Sequence, residues 1–73
     1  MQPVTAKTAL QILRRKEVER RTRLSRSSIY AAIHAGKFPR PVSLGARAVG
    51  WVEDEIEAWL QSRIDLRQLG VKP

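Results

Sequence analysis

Apolar positions recur at helical spacing in the middle of the chain and again towards its end, with a short alternating pattern between them. Residues 15–21 are good helix formers with one inward apolar position, Val18, and they predict a short first helix. Leu13, just before this helix, is expected to enter the core. Residues 1–11 show no clear period, and we interpret them as a flexible N-terminal lead-in.

A second helix is predicted over residues 26–35. Ser25 is a preferred N-cap residue, and Gly36 suits the left-handed position that commonly follows the end of a helix. A three-residue turn, residues 22–24, separates this helix from the first. Two short helices connected in this way form a helix-turn-helix.

The second helix has two chemically distinct faces, because successive residues of a helix are rotated by about 100°. The face that suits a hydrophobic core consists of Ile29, Ala32 and Ile33. The opposite face suits contact with a partner and consists of Ser27, Tyr30, Ala31 and His34.

The prolines that follow the second helix exclude a helix there, since proline lacks a backbone donor. Residues 42–44 alternate in polarity, residues 49–52 do so in part, and residues 45–48 between them carry a basic side chain. This pattern predicts a two-stranded hairpin with a basic tip. Two strands alone are marginally stable in water, so we expect the hairpin to contact the helices through Leu44 and Trp51.

The acidic residues 53–55 predict the start of a third helix, because carboxylates are favourable at the positive end of a helix dipole. The helix is expected to end before Gly70, and residues 68–73 are interpreted as a C-terminal tail. Its apolar residues recur at helical spacing and are expected to face inward: Ile56, Trp59, Leu60 and Ile64. The predicted fold is mainly α with a small β-hairpin, a winged helix-turn-helix over residues 12–67.

Charge is distributed unevenly along the chain. The formal net charge is +7, and the isoelectric point is near 11.2. Residues 1–50 contain eleven Lys and Arg against two acids, whereas residues 51–73 contain three against five. A basic surface concentrated in one part of a small domain is typical of a nucleic-acid-binding protein. A solvated basic surface and RNA binding are the alternatives.

Composition argues against an enzyme and against a metal site. The chain has no cysteine, and His34 is its single histidine, so we expect no catalytic residue, no metal and no cofactor. No apolar run reaches the roughly 18 residues of a transmembrane helix. The first residues also lack the pattern of a secretion signal. A cytoplasmic location without membrane contact is therefore expected.

Several short runs resemble one family when they are taken in order. They are LSRSSIY at residues 24–30, GKFPRPV at 36–42, LG at 44–45, RAVGW at 47–51 and EIEAWL at 55–60. Over residues 12–64 the chain resembles the AlpA family of small prophage transcriptional regulators, which are related to MerR-type domains and to phage excisionases. Many of these relatives carry glycine where Arg23 stands. A positive φ at Arg23 would cost on the order of 1 kcal/mol.

The resemblance implies DNA binding, and the chemistry of individual side chains supports it separately. The guanidinium of Arg26 can bind two acceptors on guanine, or one phosphate, at the start of the second helix. Ser27 and Ser28 are short donors for phosphates or base edges. The hydroxyl of Tyr30 can donate to a phosphate, and His34 is expected to be a neutral contact on the same face.

Three further basic residues complete the predicted DNA-binding set. Lys37 and Arg40 follow the second helix and suit the phosphate backbone, and Arg47 at the hairpin tip suits a minor groove. Each assignment has a structural alternative: Ser28 as a plain exposed helix residue, Tyr30 packed on the hairpin, Arg47 simply solvated. Both tryptophans are interpreted as core anchors rather than as platforms for base stacking.

We therefore expect sequence-specific binding of double-stranded DNA, most naturally by a prophage-type transcriptional regulator. An excisionase that bends DNA is the alternative within this class, and an RNA-binding or protein-interaction module is the alternative outside it. Expected partners are DNA, a second copy of the chain on repeated sites or in a weak dimer, and an integrase or RNA polymerase.

Overall fold

A computed structural model describes residues 10–70 of the protein. In chain order these residues form β1 (Ile12–Leu13), α1 (Arg15–Thr22), α2 (Arg26–His34), β2 (Val42–Gly45), β3 (Ala48–Val52) and α3 (Glu53–Gln68). The three helices and the antiparallel hairpin form a winged helix-turn-helix, as predicted. Residues 1–9 of the expected lead-in and residues 71–73 of the expected tail lie outside the described part of the chain.

Local chemistry explains where the helices of the helix-turn-helix begin and end. α1 starts without a side-chain cap, and it ends at Arg23, whose φ of 63° is left-handed. That conformation costs a residue with a side chain on the order of 1 kcal/mol. At the start of α2, the hydroxyl oxygen of Ser25 accepts a hydrogen bond from the Ser28 N–H at 3.1 Å. Gly36 follows α2 with a φ of 73°, which glycine adopts without strain.

The sheet contains a strand that the pattern did not predict. β1 pairs antiparallel with β3, so the order is β1-β3-β2, and Leu13 lies opposite Trp51. The carbonyl of Gln11 also accepts a hydrogen bond from the Glu53 N–H at 2.9 Å. Two residues are too few to show an alternating pattern, so only the pairing partner reveals this strand.

The core takes one buried side chain from every helix, from β1 and β3 and from the segment after α2. The buried apolar residues are Leu13, Val18, Ile29, Phe38, Trp51 and Ile56. Trp51 is completely buried, and its indole N–H donates to the carbonyl of Pro39 at 3.0 Å. The largest core side chain therefore brings no unsatisfied donor into the interior.

Two residues expected in the interior lie on the surface instead. Leu44 is 45 % exposed and Ile64 is 40 % exposed. A bulge at Leu44 interrupts the ladder, and the Leu44 Cδ1 atom lies 3.1 Å from the position a Cβ would take on Gly50. Since Gly50 and Trp51 point to opposite sides of β3, Leu44 covers the sheet face away from the core. Ile64 lies where α3 extends beyond the core cluster.

Trp59 is a partial exception to the expected core. It is half-buried rather than buried, and its ring packs edge-on against Phe38 with centroids 4.8 Å apart. Its indole N–H donates to the carbonyl of Lys37 at 2.8 Å. Trp59 thus holds the segment after α2 against α3 at the margin of the core.

No helix within residues 10–70 is long and apolar enough to cross a membrane.

Candidate nucleic-acid interface

The first turn of α2 presents three polar side chains to solvent. Arg26, Ser27 and Ser28 are all exposed. Ser28 accepts a hydrogen bond from the Ser25 hydroxyl at 3.1 Å, so it belongs partly to the cap. Neither Arg26 nor Ser27 makes a side-chain hydrogen bond within the described part of the chain. The helix start therefore offers a guanidinium and a hydroxyl that the fold itself does not use.

The remaining α2 residues of the predicted set differ in their surroundings. His34 is exposed at the end of the helix. Tyr30 is half-buried, and its ring stands edge-on to Trp51 with centroids 6.4 Å apart. The ring therefore packs on the hairpin, which was the structural alternative named for Tyr30. This contact also ties the position of α2 to the position of β3.

Two cations follow α2 on a segment whose backbone is well anchored. Lys37 and Arg40 are both exposed. The Lys37 N–H donates to the carbonyl of Ala32 at 2.8 Å, and its own carbonyl accepts from Trp59. The backbone is thus held by both the helix before it and the helix beside it, while the ammonium group extends into solvent.

The hairpin carries its charge at the turn. Ala46 and Arg47 form the turn between β2 and β3, and both are exposed. The ladder below them pairs Ser43 with Val49 and Gly45 with Ala48. With only alanine beside it on each side, Arg47 projects from a narrow tip that could approach another molecule closely.

The structure divides the basic residues into those used within the fold and those left available. On α1, Arg15 pairs with Glu19, and Arg20 pairs with Glu17. Arg21 contacts Glu17 at 3.0 Å and reaches Glu53 of α3 at 2.7 Å. The Arg14 side chain donates to the carbonyl of Val49 at 3.1 Å. Arg14 and Arg21 thus connect different elements of the fold, whereas Arg15 and Arg20 pair within α1.

Titration behaviour follows from the same ion pairs. Hydrogen bonds from Arg20 and Arg21 hold the pKa of the Glu17 carboxyl below its usual value. The carboxylates of Glu17 and Glu53 raise the pKa of Arg21. Within residues 10–70, by contrast, no salt bridge involves any basic residue of the predicted DNA-binding set: Arg26, Lys37, Arg40 and Arg47.

The sequence interpretation missed a second group of basic side chains at the turn between α1 and α2. A concave surface there is lined by Lys16, Glu19, Arg20, Arg23, Leu24 and Ser25. The i, i+4 spacing of Lys16 and Arg20 on α1, followed by Arg23 at its C-terminal end, was the signal that could have identified the group. Its adjacency to the α2 N-cap becomes visible only in three dimensions.

The site has the character of a binding surface. In the part of the chain that the structure describes, no group of three or more His, Cys, Asp or Glu side chains could hold a metal ion. What the exposed groups supply is hydrogen-bond donors and positive charge on three elements, namely the start of α2, the segment after it and the hairpin turn. Such a surface complements an extended polyanion.

Comparison with known proteins gives one family and two similar chains. The family model for the prophage CP4-57 regulatory protein (AlpA) matches residues 11–64. The uncharacterized protein ORF88 of Enterobacteria phage P4 is 41 % identical over 70 residues, covering 96 % of this chain and 80 % of the phage protein. The DNA-binding transcriptional activator AlpA of Escherichia coli K12 is 35 % identical over 66 residues, covering 82 % and 94 % respectively.

Proposed function

The chain belongs to the AlpA family of prophage regulatory proteins, and on that premise we propose that it regulates transcription by sequence-specific binding to double-stranded DNA. The observation that carries the proposal is the exposed first turn of α2. Arg26 and Ser27 lie there on a helix whose orientation is fixed by the buried Ile29, and no contact within the described residues occupies their donors.

In this proposal α2 is the recognition helix, and it enters the major groove with its N-terminal turn. Such a groove admits one helix, and side chains of the first turn reach base edges. Arg26 binds a guanine through two donors, and Ser27 and Ser28 contact a neighbouring base edge or phosphate. His34, at the far end of the helix, acts as a neutral polar contact.

Backbone contacts set the register on the duplex. Lys37 and Arg40 bind phosphates beside the groove, and the Tyr30 hydroxyl donates to another phosphate while its ring stays on Trp51. The hairpin acts as the wing. Arg47 enters the adjacent minor groove, where a narrow A·T-rich segment attracts positive charge. The Tyr30–Trp51 contact keeps helix and wing in one arrangement, so both elements bind together.

Selection of bound sequences from random duplexes tests the proposal directly. The full chain is expected to enrich one motif, and the selected duplex is expected to bind more tightly than a scrambled duplex or an RNA of the same sequence. With about four to six phosphates engaged, log K against log salt concentration should have a slope near −4 to −5. A chain that enriches no motif, or that prefers the RNA, would overturn the proposal.

A further inference from the structure

The concave surface between α1 and α2 lies directly beside the recognition helix. Ser25 lines it and is also the N-cap residue of α2. The concavity therefore borders the same end of α2 that bears Arg26. A duplex that receives this helix end must bring a strand close to the concave surface.

The charge of this surface is positive after internal pairing is taken into account. Its one carboxylate, Glu19, is neutralised by Arg15. Lys16 and Arg23 are exposed and form no salt bridge within residues 10–70. Arg20 pairs with Glu17, yet 72 % of its side chain is exposed, and a guanidinium has five donors. Donors for an anion thus remain on all three cations.

Arg23 provides a separate observation. It adopts a left-handed conformation with φ 63° and ψ 18°, and its N–H closes α1 by donating to the carbonyl of Glu19. Glycine would make the same backbone hydrogen bond without strain. The Arg23 side chain makes no hydrogen bond or ion pair within the described residues, so no polar contact there explains the strain. Strained residues of this kind are concentrated at functional sites.

We infer that Lys16, Arg20 and Arg23 form a phosphate site, which binds the DNA backbone on the α1 side of the groove that α2 enters. The inference rests on the proposed function and deepens it. A phosphate held here fixes the depth and register of α2 but carries no base information. Together with Lys37 and Arg40 on the segment after α2, the site would hold the recognition helix at both of its ends.

The test is Arg23→Gly, which removes the side chain and the backbone strain together. We expect a melting temperature at or above that of the parent chain. Affinity for the selected duplex in about 0.1 M salt should fall roughly five- to tenfold, and the salt slope should become shallower by about 0.9, the value of one phosphate. The selected motif should be unchanged. Arg23→Lys should retain most of the affinity, and Lys16→Gln should reproduce the shallower slope.

Arg67→Gln is the matched control, because it removes one positive charge from an exposed position on the last turn of α3. It should change affinity less than twofold. If Arg23→Gly keeps the parental slope, or weakens binding no more than Arg67→Gln does, the inference is wrong. A changed motif would also overturn it, since Arg23 would then read bases. A parent chain that selects no motif would refute the proposed function instead.

Discussion

The helix-turn-helix and the hairpin are held in place by different means. α1 and α2 each contribute a completely buried side chain, Val18 and Ile29. In β2, by contrast, all four residues are exposed, and the buried residues of the hairpin lie on β3. The proposed recognition helix α2 is thus positioned by the core, whereas the hairpin turn is positioned by a short backbone ladder. Substitutions in the two regions should therefore have different effects on stability and on DNA binding.

The two regions also use charge differently. Several cations of α1 form ion pairs, including the pair between Arg21 and Glu53 of α3. The hairpin turn carries Arg47, whose side chain makes no hydrogen bond or ion pair within residues 10–70. Salt bridges within the described residues thus use part of the positive charge of the helix-turn-helix and leave Arg26 available, whereas they use none of the charge at the hairpin turn. Net charge alone would not have separated these roles.

The largest effect is expected where the hairpin meets the core. Trp51→Ala should reduce the free energy of unfolding by about 3–5 kcal/mol, the usual range for a buried aromatic residue. A small domain has little stability in excess of this loss. Circular dichroism melting provides the measurement. Trp59→Ala should reduce the free energy of unfolding less, because the Trp59 side chain is only half-buried. A larger loss for Trp59→Ala than for Trp51→Ala would contradict the role of Trp51 as the anchor of the hairpin.

Arg26→Ala tests whether α2 recognises specific base pairs. We expect discrimination to relax by about 1–3 kcal/mol at one or two base pairs, because a bidentate contact to guanine is lost. The melting temperature should stay near that of the parent, since Arg26 is exposed. Selection from random duplexes measures the effect. Uniformly weaker binding with an unchanged motif would instead identify Arg26 as a phosphate contact.

Arg47→Ala tests the wing and should have a smaller effect on discrimination. Binding to the whole site should weaken roughly five- to tenfold in about 0.1 M salt, as expected for one lost contact to the polyanion. Sensitivity to flanking A·T content should fall while the central base preferences are kept. If this variant binds as tightly as the parent, with the same flanking preference, the hairpin does not read DNA.

The smallest effect concerns the ion pairs of α1 in acid. Because Arg20 and Arg21 lower the pKa of Glu17, folding is favoured by its ionised form. This contribution is complete above the ordinary glutamate pKa of about 4.3 and is lost as the pH falls through the lowered value. Glu17→Gln should therefore melt below the parent at pH 7, and the gap should close below about pH 4. A constant gap would contradict this linkage.

Local chemistry determined most of the backbone. The Ser25 cap, the left-handed Gly36 and the basic turn of the hairpin each depend on residues no more than about four positions apart. For that reason the sequence alone sufficed to predict the helix-turn-helix, the wing and the exposed Arg26 and Arg47. Family resemblance pointed to the same fold without adding any detail of packing.

Tertiary structure alone decided which residues are buried and which charges are available. β1 exists because Ile12 and Leu13 find Val52 and Trp51 across the sheet, about forty positions later. Leu44 turned outward at a bulge, which helical or strand periodicity does not reveal.

The candidate site divides in the same way. Its side chains could be named from chemistry and position, but only the tertiary structure shows that Arg21 contacts Glu53 of α3. The concave surface at Arg23 likewise needed α1 and the α2 N-cap to be placed together. Burial and ion pairing depend on distances between segments remote in sequence, so one-dimensional patterns determined the elements and their caps, while packing determined the core and the free cations.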